Sequence, residues 1–169
     1  MLLPARRDRI GEPQHTIIRV VRARPERDIL HFDEGVRSGA QALLSRKFGG
    51  SVTTWLQLDL GQEEGAAAAG ATAKWYAAGA WLTADLSKTA GIGLRADLVN
   101  DRDGARLSGA LGYPVNAGQK VSSLTATLNL KGWDHALVRP EVRYDHSTLP
   151  VYDGHQDQFS VALGISHIF

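Results

Sequence analysis

A chain of 169 residues has room for one ordinary domain with a real core. Its hydrophobic fraction is 43% and its mean hydropathy −0.20, and no run approaches the roughly 20 apolar residues of a membrane helix. The absence of cysteine excludes a disulfide frame and thiolate metal sites, and a net charge of +1 argues against a general polyanion-binding surface.

The charge is unevenly spread. Residues 1–50 hold ten Lys+Arg against six Asp+Glu, residues 51–169 hold nine against twelve, and nine of the fourteen arginines precede residue 50. Composition thus changes near Gly49 and Gly50, separating an Arg-rich segment, 1–50, from 51–169. The first segment is expected to be partly foreign to the main fold. Its start, MLLPARRDRIGEPQHT, lacks the basic opening and apolar core of about 7–15 residues that mark a secretory signal. A twin-arginine address would need an apolar stretch after Arg6 and Arg7, and none follows. Within the segment, HTIIRVVRA (15–23) fits a strand and SGAQALLSRKF (38–48) a short helix.

From residue 51 the chain alternates with period two, the mark of strands with unlike faces. SVTTWLQLDL (51–60) sets Val52, Thr54, Leu56, Leu58 and Leu60 against Thr53, Gln57 and Asp59. The extended stretch 72–86 has an ambiguous face, because Trp75 and Trp81 oppose Tyr76 and Leu82; a bulge or aromatics at both membrane boundaries would account for it. GIGLRADLVN (91–100) sets Ile92, Leu94, Ala96 and Leu98 against Gly93, Arg95 and Asp97. VSSLTATLNL (121–130) sets Leu124, Ala126, Leu128 and Leu130 against Thr125, Thr127 and Asn129. ALVRPEVRYDH (136–146) sets Val138, Pro140, Val142 and Tyr144 against Arg139, Glu141, Arg143 and Asp145. The last strand carries Phe159, Val161, Leu163, Ile165 and Phe169 on a continuous apolar face, with small or polar residues opposite. Such strands suit lipid on one side and water on the other, as in a transmembrane β-barrel.

Loop lengths agree. With Phe169 at the periplasm, the connections 61–70, 100–120 and 146–156 are long and fall outside, while 87–90 and 131–135 are short and fall inside. Outer-membrane barrels show that order. The expected fold is therefore all-β, an antiparallel up-and-down meander of about six strands forming the C-terminal part of a transmembrane barrel. Six strands cannot close a water-filled pore, since single-chain bacterial barrels have at least about 8. The expectation is a truncated C-terminal fragment of a longer, incomplete barrel. The alternative is a soluble antiparallel sandwich or barrel binding domain, in which the row from Arg139 to Asp145 is merely a solvated face.

The segment 137–169 resembles the C-terminus of the OmpL-like family of β-barrel porins. Arg139, Pro140, Glu141, Arg143, Tyr144 and Asp145 supply that family's R-P-E-x-R-Y-D strand, and Asp157, Gln158 and Phe159 the opening of its final strand. GLRADLVNDRDGAR (93–106) resembles its preceding hairpin arm, with Asp97 where Glu is usual. The resemblance covers about 73–169, extends less well to 51 and fails before 50. It implies an outer-membrane location, passive passage of small solutes and no catalytic residues. Arg95, Asp97, Arg139, Glu141, Arg143 and Asp145 are then expected to line the pore, with weak ion selectivity from their mixed signs. Val161, Leu163, Ile165 and Phe169 resemble the terminal signal read by the barrel-assembly machinery, with His167 where an apolar residue is usual. Expected partners are outer-membrane lipid, that machinery and small solutes; homo-oligomerisation is left open, and no nucleic acid, cofactor or metal is implied.

Other chemistry is thin. The histidines lack ligand spacing, although His146 and His155 share a loop with Asp145, Asp153 and Asp157. NDRDGARLSG (100–109) has the acidic character of a calcium loop without the closing bidentate Glu. No Ser–His arrangement suggests a nucleophile.

Overall fold

In the computed structural model of the protein, residues 15–23, 36–107, 117–133 and 135–167 are described, with backbone alone at 15–23 and 132–133. Eight strands form one sheet: β1 (His15–Ala23), β2 (Arg37–Phe48), β3 (Val52–Glu63), β4 (Ala73–Asp85), β5 (Ala90–Asp101), β6 (Gln119–Trp133), β7 (Ala136–Ser147) and β8 (Asp157–His167). Each pairs antiparallel with its neighbours in the chain. The six strands expected from residue 51 onward are β3 to β8. β1 falls on the strand expected at 15–23.

The helix expected over 38–48 is wrong; that stretch is β2. Its alanines and leucines favour a helix locally. They also alternate, with Ala40, Ala42 and Leu44 on one face and Gly39, Gln41 and Leu43 on the other. Twelve register pairs with β3, from Arg37↔Glu63 to Phe48↔Val52, satisfy the backbone in a way an isolated turn of helix could not. Gly39 suits the strand because a side chain there would stand 2.9 Å from the Leu60 carbonyl oxygen. Gly49 and Gly50, where composition changes, form the β2–β3 turn at φ of 56° and 80°, the left-handed region open to glycine. The sheet therefore begins before residue 50.

Connections alternate in length around the meander. The described turns 49–51 and 86–89 are short and lie at one end, as does the close approach of β6 and β7, while the described loops 64–72 and 148–156 are long and lie at the other; most of the β1–β2 and β5–β6 connections lies outside the described residues. One register shift occurs, between Leu130 and Trp133 at the β6–β7 turn. β1 and β8 are each paired on one side, so among the described residues the sheet is an open arc.

Polarity is inverted relative to a water-soluble domain. Among the described residues Ala73 is the one buried hydrophobic residue, while Asp101, Gln119, Ser123, Thr125, Thr127, Asp145 and Ser147 are buried. The large apolar side chains lie outside: Leu94 is 43% exposed, Leu128 38% and Leu163 66%. A sandwich would bury these three together beneath a second sheet, and the described residues form a single sheet.

Candidate pore wall

The period-two pleat sends alternate side chains to opposite faces, and the register stacks them into rows across strands. On the outer face, Leu56, Leu58 and Leu60 of β3, Leu94 and Leu98 of β5, Leu124 and Leu128 of β6, and Val161, Leu163 and Ile165 of β8 are exposed. Toward the long-loop end this apolar band gives way to Tyr76, Tyr144 and Phe159, also exposed. Tyr76 accepts a hydrogen bond from Asn100 at 2.9 Å, and Tyr144 donates one to Asp157 at 2.5 Å. Rings with an apolar body and a hydrogen-bonded tip are what a membrane–water boundary selects. Sequence reasoning offered boundary aromatics for 72–86 alone; the signal for the girdle was the shared position of Tyr76, Tyr144 and Phe159 near the strand ends that adjoin long loops.

The inner face is polar. β5 and β7 run in the same direction on either side of β6, and each carries an Arg-x-Asp triplet at the same height. Arg95 and Arg143 flank Thr125, and Asp97 and Asp145 flank Ser123. Arg95 Nε donates to Asp97 Oδ2 at 2.6 Å. Arg143 donates from both Nε and a terminal nitrogen to Asp145, at 2.7–2.9 Å. Ser123 of β6 donates to Asp97 of β5 at 3.3 Å. Glu141 accepts from Thr127 Oγ1 at 3.0 Å. Arg139 makes no ion pair among the described residues. The structure thus gathers all six sequence-expected charged residues on one wall and pairs four of them. A concavity of about 240 Å³ on that wall is lined by Arg95, Arg139, Glu141 and Arg143 together with Trp81 and Thr125.

β3 and β4 resolve the ambiguity of 72–86 without a bulge. Trp75 and Trp81 face inward and Tyr76 and Leu82 outward, with Trp55 paired to Trp81 on the same inner face. Glycine makes the space. A Cβ built on Gly61 would fall into the Trp75 indole, and one on Gly79 would stand 2.7 Å from Trp81 Cη2. Gly61 opposite Trp75, and Gly79 two residues before Trp81, were the readable signals.

At the long-loop end Asp101 is fully buried. Its carboxylate accepts the backbone N–H groups of Ala105, Arg106 and Leu107 at 2.8–3.1 Å. The acidic loop, which lacks the closing Glu of a calcium loop, uses Asp101 to hold its own backbone. Ser147 donates to Gln119 nearby at 3.3 Å. The loop 148–156 closes through paired Tyr152 and His155 backbones. Burial pushes the Tyr152 phenol up from its ordinary value, the Asp145 carboxylate adds to the rise, and Arg143 opposes it. Its hydroxyl stays neutral and able to donate through the physiological range. No group of three or more His, Asp or Glu close enough to hold a metal occurs among the described residues. His146 instead meets Asp157 at 2.8 Å. Phe169, the last residue of the expected assembly signal, lies outside the described residues, as do Arg6 and Arg7.

A single antiparallel meander, apolar outside and polar inside, with alternating loop lengths and an aromatic girdle, defines a membrane-spanning β-sheet of the barrel class. The family model described as "Putative beta-barrel porin-2, OmpL-like" matches residues 37–169, and the chain belongs to that family. The match begins at the first residue of β2. No curated protein and no solved structure matches the chain.

Proposed function

We propose that this sheet is an arc of an outer-membrane pore through which small solutes diffuse passively. The inverted polarity of one sheet carries the proposal. Lipid-facing leucines and valines gain about 25 cal/mol per Å² on leaving water. The opposite face holds buried polar groups, including Thr125 Oγ1 and Gln119 Nε2, which have no partner among the described residues and suit an aqueous lumen. Arg95, Asp97, Arg139, Glu141, Arg143 and Asp145 line that lumen, and their balanced signs give weak ion selectivity.

Among the described residues the β1 and β8 edges carry no further strand, and open edges are costly in hydrocarbon, so in the membrane they pair with each other or with strands of a longer parent barrel. β8 is also the strand offered to the barrel-assembly machinery. Val161, Leu163 and Ile165 stand outward on its apolar face, and among the described residues no further strand pairs beyond it. Reconstitution into planar bilayers tests the pore. Stepwise conductance in potassium chloride is expected. A monomeric, protease-resistant protein in detergent-free buffer with no bilayer activity would overturn the proposal in favour of a soluble domain.

A further inference from the structure

The outer rim at the long-loop end carries cations that solute passage does not use. Even-numbered residues of β4, β5 and β6 face outward, where Tyr76, Leu94, Leu98 and Leu124 are exposed. Lys74 and Lys120 share that parity on β4 and β6, and Arg102 continues it one residue past β5. All three are exposed and make no ion pair among the described residues. Resting on the lipid-facing reading of this face, and not on solute passage, we propose that the β4–β6 rim binds the phosphorylated headgroup of a lipid in the leaflet beside the long loops.

Shape is the first support. The β4–β5 register, with Trp75 opposite Asp101, sets Lys74 across from Arg102, and Asn100 pairs with Lys120. A concavity of about 680 Å³ is lined there by Lys74, Tyr76, Asn100 and Arg102, over a floor that includes Ala40 and Leu60. A second, of about 400 Å³, is lined by Asn100, Arg102, Lys120 and Thr148. Asn100 and Arg102 belong to both, so the two adjoin. Neighbouring strands lie about 5 Å apart, which places Arg102 between two lysines within reach of one headgroup. Below, Leu60 continues into the exposed Leu58 and Leu56, a path for an acyl chain.

Charge is the second support. The carboxylates nearby have partners: Asp103 accepts the Lys74 backbone N–H at 2.8 Å, and Asp157 accepts from Tyr144 and meets His146. Asp101 holds its own loop. At the short-turn end, by contrast, Arg46 lies over the Phe48 ring at 4.7 Å and Lys131 pairs with Asp85. Cations without ion pairs thus flank the groove beside Tyr76, at the height where headgroup phosphates lie. A zwitterionic headgroup brings its own ammonium and gains less there than a net anion.

The full chain, reconstituted in phosphatidylcholine vesicles with a fluorophore on Ala78→Cys, tests the site; residue 78 faces outward on β4, two residues below Tyr76. Brominated phosphatidic acid should quench the label with about fivefold higher association than brominated phosphatidylcholine. Lys74→Gln, Arg102→Gln and Lys120→Gln together should abolish that preference. Arg46→Gln, Lys88→Gln and Lys131→Gln, which remove the same charge at the other end, should leave it. Should the first triple variant fail to insert, about 1 M sodium chloride must abolish the preference in the unaltered rim. Equal quenching by the two lipids, a preference that survives the first triple variant, equal loss in both triple variants, or displacement of the brominated lipid by inorganic phosphate would each overturn the site. Preference without conductance would sink the pore and leave the site intact. Quenching by neither lipid would sink the lipid-facing reading, and the site with it.

Discussion

The β3–β4 wall and the β5–β7 wall present the same surface to lipid and opposite characters to the lumen. Outside, both set leucine beside alanine across strands, as in Leu56 with Ala80 and Leu94 with Ala126, and both carry a tyrosine toward the long-loop end. Inside, β3–β4 offers indoles laid against glycine, with amides around one carboxylate. β5–β7 offers two Arg-x-Asp pairs, and an Arg139 with no ion pair among the described residues. The outer face answers to one solvent, so any large apolar residue serves. The inner face answers to neighbours and solutes, and each side chain needs a specific partner.

The sharpest way to break this contrast is to place one charge on each face. Leu94→Arg, on the lipid side, should cost about 2–4 kcal/mol in urea titrations of lipid-inserted protein. Asn129→Arg, on the inner side, should stay within about 0.5 kcal/mol. Equal costs would erase the distinction between faces. Next in size is Asp101→Ala, which orphans three backbone N–H groups and should cost about 1–3 kcal/mol. Faster proteolysis across 102–107 is its signature.

The two inner walls separate in bilayer recordings. Arg139→Glu with Arg143→Glu should shift the reversal potential toward cations, while Trp75→Ala with Trp81→Ala should leave it in place. An unmoved potential in the arginine double variant would remove those residues from any role in selectivity. The smallest effect belongs to the Lys131–Asp85 pair at the short-turn end, 3.2 Å apart and well exposed. Lys131→Met should change stability by less than about 1 kcal/mol, and high salt should abolish the difference.

Much of this was legible because lipid imposes a simple rule. The stretches 91–100, 121–130 and 136–146 lie within β5, β6 and β7, and the loop alternation placed the long loops together at one end. That the six charged residues share one face was legible because each alternates with apolar neighbours along its strand. β2 was misread because Ala40, Ala42 and Leu44 satisfy helical propensity as well as period two, and only the ladder to β3 decides between them. The faces of Trp75 and Trp81 stayed ambiguous because both strand faces carry large apolar residues there. The deciding glycine for Trp75, Gly61, sits on another strand. The role of Asp101 was not legible because sequence shows a carboxylate without showing the three N–H groups aimed at it.

The chain has no cysteine, which makes a cysteine scan along β6 the most direct measurement. In lipid-inserted protein, single cysteines at 123, 125 and 127 should react with a water-soluble maleimide. Fluorophores placed at 124, 126 and 128 should be quenched by brominated acyl chains. Reactivity that ignores the alternation, or residues 124, 126 and 128 shielded from water in the absence of any lipid, would contradict a sheet with hydrocarbon on its leucine face.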